Sequence, residues 1–235
     1  MKAFVLLASG EGRRTGFRKQ FALLCGKPMF MHALEKALGL FDELILVLPP
    51  DAVESTPVPP GVKKVAGGKE RQDSVYEALK VVNAELVVLH DAARPLTPRE
   101  LFLRVTQLGP YDGLIAAARA RDTIKEVENG RVVRTLDRSR VWHAQTPQAF
   151  KTEILLACHE RARKEGFLAT DDAALLERYG YEVGVLESSF WNFKVTYPED
   201  LKVAELLLCG QPVSSARSNS GQPSSGGSSS GNSSR

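Results

Sequence analysis

The side chains in this sequence with the most chemical potential are cations set directly after an apolar run. The stretch "VLLASGEGRRTGFRKQF", residues 5–21, leaves its hydrophobic part through Ser9-Gly10-Glu11-Gly12 and then carries Arg13, Arg14, Arg18 and Lys19. Glycines let an anion come close to backbone N–H groups, and a strand-to-helix loop presents several of those groups together. Two familiar phosphate grips do not fit. A Walker loop ends in Gly-Lys-Ser/Thr, which occurs nowhere in the chain. The dinucleotide fingerprint needs a third glycine that here arrives one place late, at Gly16 behind Thr15. Dense positive side chains suit a triphosphate whose charge shifts during reaction, whereas a solvated basic loop is the plainer alternative.

A second constellation is "VVLHDAARPL". Asp91 falls at the end of an expected strand, where ligands gather in open α/β sheets. Its carboxylate could hold Mg²⁺, an ion that takes one or two carboxylates and completes its shell with phosphates; capping the next helix is the competing role. Arg94, three residues on, offers a fork for a second phosphate. The four histidines, His32, His90, His143 and His159, lack the spacing of a nucleophilic relay and read as structural. Trp142 and Phe150 read as packing residues.

The elements that would position these groups alternate. Near-continuous apolar runs at 2–8, 43–49, 85–91 and 113–120 read as strands buried on both faces, as in a parallel sheet. Between them 28–41, 70–82 and 97–109 have helical period, the last with Thr97 as cap, Pro98 in the first turn and Glu100 closing a capping box. The pattern predicts a Rossmann-like three-layer α/β/α fold with a mostly parallel mixed sheet. At 121–142 the rhythm breaks. Asn129-Gly130 is a hairpin signal between charged extended segments, which predicts a projecting β-hairpin arm whose exposed edges call for a dimer partner. Two helical patterns follow (about 151–165 and 171–179), then a strand at 181–187, a short strand "FKVT" and a last helix from Pro198. The whole of 1–212 reads as one domain. Residues 213–235 read as a disordered tail, because this Ser/Gly-rich segment cannot bury enough apolar surface to offset its ordering entropy.

Bulk properties narrow the functions. At 235 residues with a net charge of +3, the chain has no whole-molecule field for nucleic acid. No apolar run approaches the roughly 18 residues of a membrane span, and the N-terminus lacks a full signal-peptide core. The three cysteines, Cys25, Cys158 and Cys209, have no metal spacing and no even disulfide set, which points to a reduced cytoplasm.

Taken in order, "ASGEGRR…KQF", "GGKERQDSV", "HDAARPL", "RDTIK", "DRSRVWHAQTPQAF", "ATDD" and "NFKVTYPEDL" resemble the 2-C-methyl-D-erythritol 4-phosphate cytidylyltransferases of non-mevalonate isoprenoid biosynthesis. The resemblance runs from residue 2 to about 208. It implies transfer of CMP from CTP to methylerythritol phosphate in a homodimer that uses Mg²⁺ or another divalent cation. It places Ala8, Ser9, Gly10 and Gly12 around the nucleotide phosphates, and Arg14, Lys19 and Lys194 at the charge that develops on the α-phosphorus. Gly68, Lys69 and Ser74 fall where the cytosine is recognised, and Asp91, Ala92 and Arg94 near the metal and the phosphates. Thr123 and Arg138 match arm positions that reach a neighbouring subunit's site. Thr146, Thr170 and Lys194 match the remaining substrate contacts. Ser9, Arg18 and Lys69 depart from the usual family residues, "TDD" with Asp172 replaces the commoner "TDE", and the span between Arg14 and Lys19 is shorter than in relatives. A cytidylyltransferase acting on ribitol 5-phosphate or another polyol phosphate is the alternative.

Overall fold

The computed structural model describes residues 1–12 and 16–210. The predicted tail at 213–235 and the predicted catalytic Arg14 lie outside the described residues. The chain opens with β1 (Lys2–Leu7), a two-stranded ribbon of β2 (Leu23–Leu24) and β3 (Lys27–Pro28), and α1 (Met29–Ala37). It continues through β4 (Glu43–Leu48), β5 (Val62–Ala66), α2 (Arg71–Leu79), β6 (Leu86–Asp91), α3 (Arg99–Arg104) and β7 (Gly113–Arg119). Then come β8 (Lys125–Glu128), β9 (Arg131–Thr135), β10 (Trp142–Lys151), α4 (Thr152–Glu165), α5 (Asp172–Arg178), β11 (Val183–Glu187) and α6 (Pro198–Cys209).

Seven strands form one sheet in the order β11-β7-β10-β6-β1-β4-β5. All neighbours are parallel except β10, which runs antiparallel to both β6 and β7. The period of two along each strand divides the core into layers. Ala3, Val5 and Leu7 of β1 pack with Val75 of α2, Leu155 of α4 and Leu175 of α5. Phe4 and Leu6 face the opposite way, against Phe30 and Leu34 of α1 and Phe102 of α3. The three-layer α/β/α architecture is as expected. So is the hairpin: β8 and β9 make a two-stranded sheet of their own around Asn129-Gly130, with Asn129 at φ 49° and Gly130 at φ 77°.

Three local expectations need correction, and one strand was not foreseen. Thr97 does not cap α3; Pro98 occupies that position, and the buried Thr97 hydroxyl instead bonds the Arg94 carbonyl at 3.0 Å and Asn192 Oδ1 at 2.6 Å. "FKVT" forms no strand; a single bond from the Val195 N–H to the Ala93 carbonyl (2.8 Å) docks it beside the sheet. β10 had no clear sequence signal, because "WHAQTPQAFK" mixes polar residues with a proline and its register shifts between Ala144 and Gln148. The cysteine count also misled: Cys25 and Cys209, 184 residues apart, form a disulfide with Cα atoms 5.7 Å apart. An odd count hides a pair when the third thiol is sequestered, and Cys158 is buried in the core, its thiol pushed up to about 11 by burial.

Candidate active site

Chain order turns around at β1. The chain steps from β1 to β4 and β5 on one side and then crosses to β6 on the other, so the carboxyl ends of β1 and β6 diverge at a topological switch point, the usual place for a ligand in such sheets. A cleft of about 320 Å³ opens there. Leu7 and Asp91 are directly paired at the strand ends, which aims the residues that follow each of them into the same space.

Three walls can be traced to local structure. The glycine loop supplies Ala8, Ser9, Gly10 and Gly12, with Lys19 behind it. Buried Gln20 fixes its path by donating to the Gly10 carbonyl at 2.9 Å. The second wall, Gly68, Lys69 and Ser74, is the start of α2. A reciprocal capping box between Glu70 and Asp73 starts that helix. The Ser74 hydroxyl ties the walls together, accepting from Ser9 Oγ (2.9 Å) and Gly68 N–H (3.1 Å) while donating to the Glu70 carbonyl (3.1 Å). Gly67 is needed at this seam, because a Cβ there would stand 2.3 Å from that of Ser9.

The third wall carries the charge. Asp91 Oδ2 accepts from Lys194 Nζ at 2.7 Å, and Oδ1 accepts from Arg71 Nε at 3.2 Å. Burial alone would push the Asp91 carboxyl up, but the Lys194 ammonium and the Arg71 and Arg94 guanidiniums together hold it well below the usual carboxylate range. Asp91 is therefore an anion at any physiological pH. It holds Lys194 in the cleft without offering a proton. Buried Asp172 is likewise held low: burial opposes it, but Arg71 and His159 prevail. Both carboxylates add stability that is complete above the ordinary aspartate value of about 4 and is lost as pH falls through their lowered folded-state values. The urea midpoint is accordingly expected to drop steeply below pH of about 4, and Asp91→Asn to flatten that drop; a pH series of urea melts on both proteins checks this.

Several predicted residues stand elsewhere. Arg94 is buried beneath residues 189–194, where its Nη1 donates to the Asn192 carbonyl at 2.6 Å, so it acts on Asp91 through its charge and does not line the cleft. Thr146 stands behind the cleft; its hydroxyl accepts from the Asp91 N–H (3.0 Å) and lies 2.9 Å from His90 Nδ1. Burial pushes the His90 imidazole down to about 3, so it stays neutral and structural. Thr170 is exposed just before α5, and Thr123 and Arg138 lie exposed at the base of the arm without lining this chain's own cleft. Arg18 turns outward to Glu11 (3.0 Å) and Asp51 (2.7 Å). Sequence reasoning passed over Arg71, although it stands in the quoted "GGKERQDSV". An arginine at the first position of a helix that borders an expected anion site was the available signal.

A glycine loop, a capped helix start and a set of cations around one carboxylate, all at the switch point of an α/β sheet, make a site suited to the phosphates of a nucleotide. The comparisons agree and are more specific. The family model described as 2-C-methyl-D-erythritol 4-phosphate cytidylyltransferase matches residues 2–209. The protein of that name from Aquifex aeolicus (strain VF5) is 60% identical over 208 residues, covering 88% of this chain and 98% of its own. Its namesake from Bacillus mycoides (strain KBAB4) is 40% identical over 229 residues with the same coverage. Among solved structures, the Thermus thermophilus protein of the same name superposes with a TM-score of 0.75 at 31% identity, over 87% of this chain and 98% of that one. The 4-diphosphocytidyl-2C-methyl-D-erythritol synthase of Anaerococcus prevotii DSM 20548 gives 0.80 at 28%, over 89% and 98%. This chain belongs to the 2-C-methyl-D-erythritol 4-phosphate cytidylyltransferase family.

Proposed function

We propose that this enzyme transfers CMP from CTP to 2-C-methyl-D-erythritol 4-phosphate, releasing pyrophosphate and 4-diphosphocytidyl-2-C-methyl-D-erythritol. The observation that carries the reading is the Asp91 carboxylate holding Lys194 at 2.7 Å in a cleft that Lys19 and the glycine loop also line. A phosphate monoester has its second pKa at about 6, so its oxygen is already largely anionic at neutral pH and needs no general base. That oxygen attacks the α-phosphorus in line. A new P–O bond forms as the bond to the β-phosphate bridging oxygen breaks, and pyrophosphate leaves with the electron pair. The protein's part is to orient the two anions and to neutralise the charge that builds on the α-phosphoryl oxygens, with Lys19 and Lys194 as the described cations for that task and Arg14 as the third.

Among the described residues no three His, Cys, Asp or Glu side chains cluster as a metal cage. One carboxylate with lone pairs left beside its two cations is nevertheless what Mg²⁺ needs when phosphates complete its shell. Asp91 would hold it, and the ion would supply further neutralisation of the triphosphate. Gly68, Lys69 and Ser74 at the start of α2 are assigned to the cytosine and Thr170 to the polyol phosphate, while Arg94 and Thr146 support that side from behind the cleft, Arg94 through its charge on Asp91 and Thr146 through its bond from the Asp91 N–H.

The assay is pyrophosphate release from CTP with Mg²⁺, with methylerythritol phosphate or ribitol 5-phosphate as acceptor and UTP, GTP and ATP as alternative donors. Faster turnover of ribitol phosphate, or of another nucleotide, would replace this reading. We also infer one nucleotidyltransferase domain over 1–212 and a homodimer in which the arm carries Thr123 and Arg138 to the partner's cleft; the exposed Val127, Val132 and Val133 on β8 and β9 support it. Replacing 124–136 by a short glycine-serine turn is expected to give a monomer by sedimentation, with kcat/KM for the polyol phosphate down at least about tenfold. A fully active monomer would rule out a shared site.

No helix among the described residues is long and apolar enough to cross a membrane. The reading places the enzyme in the cytoplasm with its CTP. The Cys25–Cys209 bond weighs against that, since reducing compartments keep most thiols reduced. Trapping thiols in intact cells before a non-reducing gel decides between them.

A further inference from the structure

The cleft's charge does not stop at its wall. Arg71, the first residue of α2, reaches in two directions: its Nε donates to Asp91 Oδ1 at 3.2 Å, and its Nη1 donates to Asp172 Oδ2 at 2.5 Å. Asp172, at the start of α5, is 1% exposed. Its other oxygen accepts from His159 Nε2 of α4 at 2.9 Å, and His159 is fully buried. Charged and hydrogen-bonding groups therefore form one line, Lys194–Asp91–Arg71–Asp172–His159, that starts in the cleft and ends in the helical layer behind it. Neither Asp172 nor His159 lines the cleft.

The protonation of the far end follows from donor logic. An ionised carboxylate can only accept, so the proton on the His159 ring that faces Asp172 sits on Nε2. His159 Nδ1 has no hydrogen-bond partner, so the ring makes one directional contact, and that contact is to Asp172. His159 thereby fixes one carboxylate oxygen and leaves the other to Arg71.

We propose that Asp172 and His159 are positioning residues of the reaction: by drawing one arm of the Arg71 guanidinium away from the cleft, they hold Arg71 to a single contact with Asp91 and keep the second Asp91 oxygen for Lys194. Charge balance at Asp91 is the reason. Lys194, Arg71 and Arg94 all bear on Asp91, and a cation left without a carboxylate at this partly dehydrated site is costly. With Asp172 in place, two carboxylates share the two cations in direct contact with them. Without it, the half-buried Arg71 guanidinium has only Asp91 as a carboxylate partner, and its planar fork can take both carboxylate oxygens at once. Lys194 would then lose its 2.7 Å partner and its fixed place in the cleft. Arg71 touches both Asp91 and Asp172, so the effect is expected to pass through Asp91 to Lys194.

The inference rests on the proposed cytidylyl transfer, and its test is built to fail separately. Wild-type enzyme is assayed first for pyrophosphate release from CTP with methylerythritol phosphate; no turnover there defeats the proposed function itself. Asp172→Asn removes the charge but keeps the shape, and is expected to lower kcat about tenfold to a hundredfold, the range for groups that orient a functional side chain. Equilibrium CTP binding should change less than about threefold, because the lost interaction matters most in the transition state. Asp172→Glu, which keeps the carboxylate, should recover most of the loss.

His159→Gln, whose amide can still donate to Asp172, should keep kcat within about threefold of wild type, whereas His159→Leu should lose about tenfold. A second readout does not depend on turnover. Lys194 freed from Asp91 should change its rate of labelling by an amine-reactive reagent in Asp172→Asn, read by peptide mass spectrometry, relative to Lys63 as an internal standard. Unchanged kcat and unchanged Lys194 labelling in folded Asp172→Asn would overturn the proposal. So would a loss of activity that only tracks the folded fraction on a thermal melt. If Asp172→Asn does not fold, the His159 pair carries the decision: equal activity of His159→Gln and His159→Leu would overturn it.

Discussion

Lys194→Ala is expected to lower kcat by roughly 10²–10³-fold while CTP binding weakens by less than about tenfold. The asymmetry follows from where the ammonium sits. It is 35% exposed, so water already screens part of its attraction to a bound triphosphate. It is also fixed by Asp91 at 2.7 Å, so no reorganisation is needed when negative charge concentrates on the transferring phosphoryl group. A cation that is preorganised but partly solvated contributes little to ground-state binding and much to the transition state. Lys19→Ala should behave alike, as the cation on the opposite, glycine-loop side of the cleft. Single-turnover rates and equilibrium CTP binding on both variants make the check. A raised KM with unchanged kcat would remove both lysines from the catalytic role.

The second large effect concerns stability. Removing the Cys25–Cys209 bond, by Cys25→Ser with Cys209→Ser, is expected to lower Tm by about 10 °C. A cross-link spanning 184 residues restricts the unfolded chain strongly, and the chain-entropy treatment gives an upper value of about 5 kcal/mol, with measured bonds nearer 2–4. In a protein of this size each kcal/mol shifts Tm by roughly 2–4 °C. The helix it anchors packs only through a small cluster: Ala204, Leu201 and Leu208 lie against Leu24, Met29 and Val195, while Leu206 is 72% exposed. The bond therefore does more here than it would on a deeply packed helix. Melts of the double variant and of wild type, with and without reductant, test it; coincident melts would show that the bond contributes nothing.

What the sequence disclosed and what it withheld follow from local against non-local causes. Strands such as "ELILVL" are buried on both faces, so their apolar runs are conspicuous, and β1, β4, β6 and β7 were all visible. The hairpin turn at Asn129-Gly130 was visible because positive φ leaves its mark on residue type. β10 was not visible: its polar residues serve Asn192 and Asp171 through Gln145 and Gln148, partners that only the fold brings near. In the site, the glycine loop was legible because glycines and cations follow directly on an apolar run, whereas Gly68, Lys69 and Ser74 were reached only through the family resemblance. The inward turn of Arg94 and the outward turn of Arg18 were not, since each is decided by a partner far along the chain, Asn192 in one case and Asp51 in the other. Arg71 was written in the sequence all along, but its importance lies in touching two carboxylates that are distant from each other in the chain, Asp91 and Asp172.

The single reversed strand has a topographical consequence. β10 opposes β6 and β7, and its first residue, Trp142, pairs with Arg119 at the carboxyl end of β7. The segment that joins those two residues therefore leaves and re-enters the sheet on the same rim where β1 and β6 open into the cleft. A parallel strand in that position would have required a crossover to the opposite rim, and any excursion between the strands would have been free to emerge far from the chemistry. By running one strand backwards, the fold roots the arm beside its own binding edge, so in the proposed homodimer a twofold axis near that rim would be enough to bring each arm to the other copy's door.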